Sequence, residues 1–152
     1  MRFFEDYGIG AKLVTSGKTV TEADIVFFGA VAGDHDPLHM DAEFCKNTIF
    51  KQRIAHGTLG VVVQSGLSHD LGIEGTLISQ LVEISFKFRS AIMIGDTVHV
   101  EHVVLTKEEI EKSDFGLITM SYKVINQKEE IVQEGVKKLK VRKKNGWNNG
   151  QE

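Results

Sequence analysis

The chain has 152 residues, a length that fits one domain with a core of ordinary size. Hydrophobic residues make up 41% and charged residues 26%, and the formal net charge of −3 provides no basic field for nucleic acid. The single cysteine, Cys45, excludes an intrachain disulfide and a CxxC zinc knuckle, and we expect it to be a small packing residue. No apolar run approaches the ~18 residues of a membrane span, and the N-terminus is too short and acidic for a signal peptide. We therefore expect a cytoplasmic protein without membrane contact.

Short elements are predicted before the middle of the chain. Thr21 begins a capping-box pattern with Asp24, and the apolar face that follows predicts a helix that Gly33 ends. The other predictions in this half are a strand or hairpin arm over residues 12–20, the helix itself over 22–32, an irregular stretch over 33–40, and a short helix over 41–46 capped by Asp41.

The segment from His56-Gly57 to Asp70 contains small and apolar residues and almost no charge. This composition predicts a helix buried on nearly all sides. Its three consecutive valines would also suit a strand, but a length of ~14 residues and the terminator Gly72 favour a helix.

β-Branched residues dominate the second half of the chain. Val98, Val100, His102 and Val104 alternate with residues of the opposite face, which predicts a strand with one buried side. The basic run over 137–144 is interpreted as a solvated strand face and tail. Short turns between the segments predict an antiparallel meander of four strands, over residues 77–89, 97–107, 115–127 and 131–142.

Such a sheet has one face to cover, and the long apolar helix is the element suited to cover it. We therefore predict an α+β domain of the hotdog architecture, an antiparallel sheet wrapped around a long central helix. The domain is expected to span residues 1–142, followed by a flexible tail over 143–152. The open edge of the sheet is expected to be closed by a second subunit.

Asp34 and His39 lie in the segment Gly-Asp-His-Asp-Pro-Leu-His, residues 33–39. Pro37 fixes φ and Asp36 favours an Asx-type turn, so the segment is stiff enough for the two side chains to converge. An Asp/His pair can hold a water and take its proton, as general acid–base catalysis requires. The spacing alone fits equally well an Asp34 that caps nearby backbone with His39 packed beside it.

Gly57 and Ser65 are further candidates on the central helix. A helix N-terminus presents unpaired N–H groups, and a glycine there allows close approach of a carbonyl, so Gly57 could form an oxyanion hole. On its own, Gly57 fits a close-packing role better. The hydroxyl of Ser65 needs a partner, which is either Asp34 or a backbone carbonyl of its own helix.

The segment GDHDPLHMD resembles the hydratase motif of the MaoC-like family, which includes the (R)-specific enoyl-CoA hydratases. The usual form of that motif is Gly-Asp-x-Asn-Pro-hydrophobic-His. Flanking blocks also resemble the family, and the resemblance extends over about residues 10–142. These blocks lie at residues 21–25, 53–57 and 95–98.

The resemblance implies a dimeric hotdog protein that converts trans-2-enoyl-CoA to (R)-3-hydroxyacyl-CoA, or the reverse, with the site near the subunit interface. No metal or redox cofactor is implied; coenzyme A, or an acyl carrier protein, is part of the substrate. Asp34 and His39 would be the acid–base pair, the N–H of Gly57 would polarise the thioester carbonyl, and Ser65 would support Asp34. Asp36 replaces the usual asparagine and adds a negative charge that we expect to influence the titration of the pair.

Two other functions remain open on the sequence. An acyl-CoA thioesterase would share Gly57 but would need a carboxylate that attacks or activates water at C1. A non-catalytic acyl-binding subunit would have no need of the Asp34/His39 pair. No metal site is predicted, because the other histidines lack ligand-like spacing with carboxylates. The apolar candidates for an acyl pocket are Phe27, Phe44, Ile49 and Phe50, although core packing explains each equally well.

Overall fold

The computed structural model describes residues 2–75 and 77–146. Within these ranges no helix is long and apolar enough to cross a membrane. Short 3-10 helices lie at Phe4–Asp6 and Lys144–Gly146. The helices are α1 (Glu22–Ala32), α2 (Pro37–Met40), α3 (Ala42–Lys46) and α4 (Gly57–Asp70), and the strands are β1 (Lys12–Val14), β2 (Lys18–Thr19), β3 (Ser79–Phe88), β4 (Thr97–Glu109), β5 (Phe115–Ile125) and β6 (Ile131–Arg142).

Helix α1 begins and ends where the sequence predicts. The Thr21 hydroxyl accepts a hydrogen bond from the N–H of Asp24 (3.3 Å), and the Asp24 carboxylate accepts one from the N–H of Thr21 (2.8 Å). This is the reciprocal capping box. Gly33 ends the helix at φ 71°, a left-handed conformation that glycine adopts without a Cβ clash. The chain therefore turns sharply into the segment that carries Asp34.

Residues 37–40, which the sequence predicts to be irregular, form helix α2. Asp36 caps it, because its Oδ1 accepts a hydrogen bond from the N–H of Leu38 at 2.8 Å. Pro37 occupies the first helical position, where the missing N–H has no intrahelical partner to lose. The Asx geometry expected at Asp36 is thus part of a helix cap, and His39 lies on a helical turn.

The sheet is antiparallel, with the strand order β1-β4-β5-β6-β3, and β2 pairs with β4 beside this path. The predicted meander is confirmed for β4, β5 and β6 and is wrong for β3, which pairs with β6 instead of β4. The alternation of apolar and polar residues shows which face of a strand is buried, but it does not show which strand lies beside it. Strand β3 therefore forms one edge of the sheet.

Helix α4 packs on one face of the sheet, and its buried residues lie at positions 59, 60, 63, 64, 67 and 68. The predicted burial on nearly all sides is wrong, because the opposite face, which includes Val62 and Gly66, is exposed; small uncharged side chains can face solvent as well as a core. Leu59 and Val63 of α4 belong to one buried cluster with Val98 and Val100 of β4 and Val124 of β5. Strand β4 buries every second residue from Val98 to Val104, as the alternation predicts. The α+β arrangement of one long helix covered by an antiparallel sheet is confirmed.

The chain after β6 contacts the first residues of the protein. The backbone N–H of Lys144 donates to the carboxylate of Glu5 (3.0 Å), and its Nζ donates to Asp6 (2.5 Å). The segment predicted to be a flexible tail from residue 143 thus begins with ordered contacts, and residues 147–152 lie outside the described ranges.

Candidate active site

His39 on α2 is oriented by the backbone of the segment before α4. Its Nδ1 lies 2.9 Å from the carbonyl oxygen of Ile54, and the N–H of Ile54 donates to the carbonyl of Leu38 (3.1 Å). A carbonyl only accepts, so Nδ1 carries the hydrogen and neutral His39 keeps a lone pair on Nε2. This is the protonation state that a general base requires.

His56, the residue before α4, contacts both Asp34 and His39. Its ring is 1% exposed and stacks on the ring of His39, with centroids 3.8 Å apart and planes 31° apart. Its Nε2 donates to the carbonyl of Asp34 at 3.0 Å, and its Nδ1 is buried without a hydrogen-bond partner among the described residues. The sequence identified Gly57 at this point but not the His56 side chain, whose only signal was its position before the helix.

The side chains of Asp34, His39 and His56 converge. One potential ligand atom of each lies within 4.8 Å of the others, and Asp34 is exposed. The Asp34 carboxylate also accepts a long hydrogen bond from the N–H of Asp36 (3.3 Å), which keeps it near the start of α2. The structure therefore places the acid and the imidazole close enough to share a water molecule.

The same three side chains are those that could hold a metal ion. Each imidazole already donates one ring N–H to a backbone carbonyl, so each has at most one lone pair left for a cation. The absence of a metal from the working site remains a prediction.

Gly57 is the first residue of α4, so its N–H is among the four that lack an intrahelical partner. A Cβ at this position would lie 2.9 Å from Cε1 of Phe88, a distance too short without movement of the ring. Glycine is thus required for the ring of Phe88 to lie against the helix. The helix end brings unpaired donors and a partial positive charge to the wall of a cavity.

That cavity has a volume of about 260 Å³ and mostly apolar walls. The cavity lies between the imidazoles of His39 and His56, the start of α4, the end of β3 and the start of β6. The lining residues include His39, Phe50, His56, Gly57, Phe88 and Gln133.

Of the four apolar residues proposed for an acyl pocket, Phe50 lines the cavity. Phe27, Phe44 and Ile49 are exposed on the surface instead. Phe27, Phe44 and Ile49 therefore belong neither to this cavity nor to the core, and the aromatic side chains that line the cavity are those of Phe50 and Phe88.

Ser65 has a different partner from the two that the sequence suggested. Its Oγ donates to the carboxylate of Glu74, so its hydroxyl hydrogen is not donated to Asp34. Glu74 in turn forms an ion pair with Lys137. The role of supporting Asp34 that the resemblance implied for Ser65 is thus not seen in this chain.

Lys137 is 0% exposed, although the basic run that contains it was interpreted as solvated. Besides the Glu74 carboxylate, its Nζ reaches Oε1 of Gln64 (2.8 Å) and Oγ of Ser68 (2.9 Å). Burial lowers the pKa of Lys137 to about 8, and the negative charge of Glu74 limits that fall. The period-two pattern of β6 could have placed Lys137 on the inner face, but its charge argued against it.

His102 belongs to the same buried group beneath α4. Its Nε2 lies 3.0 Å from Oγ of Ser68. Burial, and then the positive charge of Lys137, lower the pKa of His102 to about 3, so the ring is neutral at pH 7. This network of polar side chains is separate from the Asp34/His39 site.

The fold and the Asp34/His39 grouping beside the start of the central helix define the class to which the chain belongs. Residues 6–127 match the family model of the MaoC-like domain, and the chain is a member of that family. Over 99 residues it is 34% identical to the (R)-specific enoyl-CoA hydratase of Rhodospirillum rubrum, which covers 64% of this chain and 66% of that protein. A match of 34% identity to Protein MaoC of Klebsiella aerogenes covers 65% of this chain but only 29% of that protein.

Solved structures of other proteins have a similar fold. The R-hydratase of Pseudomonas aeruginosa in its unliganded form superposes with a TM-score of 0.79 at 27% identity, over 93% of this chain and 86% of that one. The hotdog fold predicted from the sequence is therefore confirmed.

Proposed function

We propose that this protein is a hydro-lyase that adds water to trans-2-enoyl-CoA to give (R)-3-hydroxyacyl-CoA, or catalyses the reverse dehydration. The observation that carries the proposal is the convergence of Asp34 and His39 beside an apolar cavity that the start of α4 lines. The hydratases of R. rubrum and P. aeruginosa support the reaction and its stereochemistry.

The reaction needs a base for water, a group that stabilises negative charge on the thioester oxygen, and an acid for C2. The free Nε2 of His39 and the carboxylate of Asp34 are suited to bind water and take its proton as the oxygen bonds to C3. The C2–C3 π electrons then form a C1–C2 double bond while the carbonyl π electrons move onto the thioester oxygen, and the N–H of Gly57 stabilises the resulting enolate. Loss of such a donor typically costs about 3 kcal/mol. The proton returned to C2 completes the addition.

Water adds without net transfer of electrons, so the reaction requires no redox cofactor. We propose that coenzyme A, or the phosphopantetheine of an acyl carrier protein, enters only as part of the substrate. The expected setting is the reducing cytoplasm, in keeping with the free, buried Cys45.

The test is incubation of the purified chain with crotonyl-CoA and longer enoyl-CoAs. A hydratase removes the enoyl absorbance and releases no free thiol, and the product is the (R)-3-hydroxyacyl-CoA by chiral analysis. Thiol release from saturated and unsaturated acyl-CoAs would indicate a thioesterase. Tight binding of acyl-CoA without either change would indicate a binding subunit.

We further propose that the protein is a homodimer that pairs through β3. Among the described strands this edge strand pairs only with β6, and several of its apolar side chains are exposed. A long edge strand with exposed apolar residues is unfavourable in a monomer. Phe88 of β3 lines the cavity, so a partner at this edge would lie close to the site. The exposed apolar residues are Leu81, Val82, Phe86 and Phe88.

Replacement of Val82, which is 57% exposed, by lysine is expected to shift the protein from dimer to monomer. The charge would have to be desolvated at the proposed interface. Analytical ultracentrifugation over a range of concentrations measures the shift. The matched control is Leu105→Lys, because Leu105 is 43% exposed on β4, away from this edge. A wild-type monomer, or a Val82→Lys variant as dimeric as the control, would contradict the proposal.

A further inference from the structure

We infer that Gln133 is a positioning residue for the hydration reaction, holding Gly57 so that its N–H meets the thioester carbonyl. This inference rests on the proposed function, and it concerns a side chain on β6, far along the chain from the Asp34/His39 segment.

Gln133 makes one direct contact with the start of α4. Its Nε2 donates to the carbonyl of Gly57 at 2.7 Å, and its side chain lines the cavity together with His39 and His56. The residue is only 2% exposed. The contact joins the sheet to the first turn of the helix, 76 positions earlier in the chain.

Gly60 provides the space for this contact. A Cβ on Gly60 would lie 2.4 Å from Nε2 and 2.7 Å from Oε1 of Gln133, distances that side chains do not tolerate. A glycine inside a helix is destabilising relative to alanine. The chain therefore carries a helix-weakening residue at the point where the amide of Gln133 lies across the first turn.

The amide also carries an unsatisfied atom. Oε1 of Gln133 is buried and has no hydrogen-bond partner among the described residues. Such an acceptor destabilises the folded protein, whereas a methionine of similar length would fill the space without an unsatisfied polar atom. The structure retains an amide here for the one bond that it makes, to Gly57.

Gly57 needs external contacts because it has no side chain to restrict its own backbone. Phe88 covers one side of its Cα, and Gln133 fixes the direction of its carbonyl. At the preceding residue, His56 is held through its ring by the Asp34 carbonyl. The N–H of Gly57 belongs to the peptide whose carbonyl, that of His56, accepts a hydrogen bond from the N–H of Leu59 at 3.0 Å. Gln133 holds the next peptide, so the two bonds together restrict the backbone torsions of Gly57 that relate its N–H to the helix. A donor that is aligned in advance stabilises an enolate better than one that must reorient.

The test combines kinetics with a spectroscopic readout. Sorboyl-CoA, a conjugated dienoyl thioester, absorbs at longer wavelength when a hydrogen bond polarises its carbonyl. Gln133→Met is expected to lower kcat roughly tenfold to a hundredfold with a KM changed less than about twofold, and to lose most of the wavelength shift on binding. Gly60→Ala should do the same, because the new methyl group displaces the amide.

The matched control is Gly66→Ala on the same helix, since a Cβ there would meet nothing within 4 Å. That variant should keep both kcat and the wavelength shift. The double variant Gly60→Ala/Gln133→Ala removes the clash and should be no slower than Gly60→Ala alone, because residues in contact act non-additively. Thermal unfolding of each variant confirms that it is folded.

Wild-type kcat and a full wavelength shift in Gln133→Met would overturn the inference, and so would a Gly60→Ala variant that behaves like Gly66→Ala. If the wild-type protein neither hydrates enoyl-CoA nor shifts the absorbance of sorboyl-CoA, the proposed function itself fails, and the inference fails with it. The two failures are therefore distinguishable.

Discussion

The variants His39→Gln and Asp34→Asn are each expected to lower kcat for crotonyl-CoA hydration by about 10²–10⁴-fold. His39 has its Nδ1–H directed to the Ile54 carbonyl and its Nε2 lone pair available, so its replacement removes the imidazole base. Asp34→Asn keeps the shape of the side chain but loses the negative charge that binds and deprotonates water. Both side chains are at least partly exposed, so the fold should be unaffected. Stopped assays at saturating substrate, with unfolding curves alongside, measure the effect.

Asp36→Asn provides the comparison, because it removes a neighbouring carboxylate and should preserve the cap on Leu38, since asparagine caps helices as well as aspartate does. We expect a change in kcat of only a few-fold, together with an altered pH profile, if its charge influences the pair. Wild-type rates in both His39→Gln and Asp34→Asn would exclude the proposed mechanism. A loss in Asp36→Asn as large as that in Asp34→Asn would show that general negative charge, and not Asp34 itself, is what matters.

The buried ion pair between Glu74 and Lys137 is expected to have a large effect on the free energy of unfolding. Glu74→Gln should lower the free energy of unfolding by about 3–5 kcal/mol at neutral pH, because Lys137 would remain buried without its counter-charge. Lys137→Met leaves Glu74 without its cation and should also destabilise. The double variant should be more stable than the sum of the two losses predicts, since neither charge is then left alone. Chemical denaturation at several pH values measures all three variants.

The pH dependence follows from Lys137. Its pKa of about 8 in the folded protein lies below the ordinary value of 10.5, so between these pH values the unfolded chain binds more protons. The contribution of Lys137 to the free energy of unfolding therefore rises from pH 8 to 10.5. Below pH 8 the full cost of burying the charged ammonium group is present. In Lys137→Met this rise should be absent. In Glu74→Gln the pKa of Lys137 should fall further, so the deficit should shrink as the pH rises towards 8, where Lys137 of the variant has already lost its charge.

The exposed pair Lys46–Glu43 is the control, with side chains 63% and 80% exposed. Glu43→Gln should change the free energy of unfolding by less than about 1 kcal/mol. If Glu74→Gln changed the free energy of unfolding as little as Glu43→Gln, the buried network would contribute little to stability.

Local structure could be predicted from the sequence where it depends on residues close together in the chain. The capping box of Thr21 and Asp24 and the glycine that ends α1 depend on neighbours a few residues away, and both predictions are confirmed. The helix predicted from the uncharged run of α4 is also confirmed, but its burial on nearly all sides is not. The candidate pair of Asp34 and His39 was readable for the same reason, since Pro37 and Asp36 stiffen the segment between them.

Long-range partners were decided only by the tertiary structure. Which strand lies beside β3, which group receives the hydroxyl of Ser65 and whether Lys137 is buried depend on segments many positions apart. Periodicity fixes the face that a residue takes but not the residue that faces it. The same limit hid His56 and Gln133, because each acquires its place in the site through one contact with distant backbone, the Asp34 and the Gly57 carbonyl respectively. The sequence by itself determined the long helices and strands, the family resemblance and the candidate acid–imidazole pair. Helix α2 and the contacts that orient this pair and Gly57 became visible only in the tertiary structure, because the contacts form only when sheet and helix pack together.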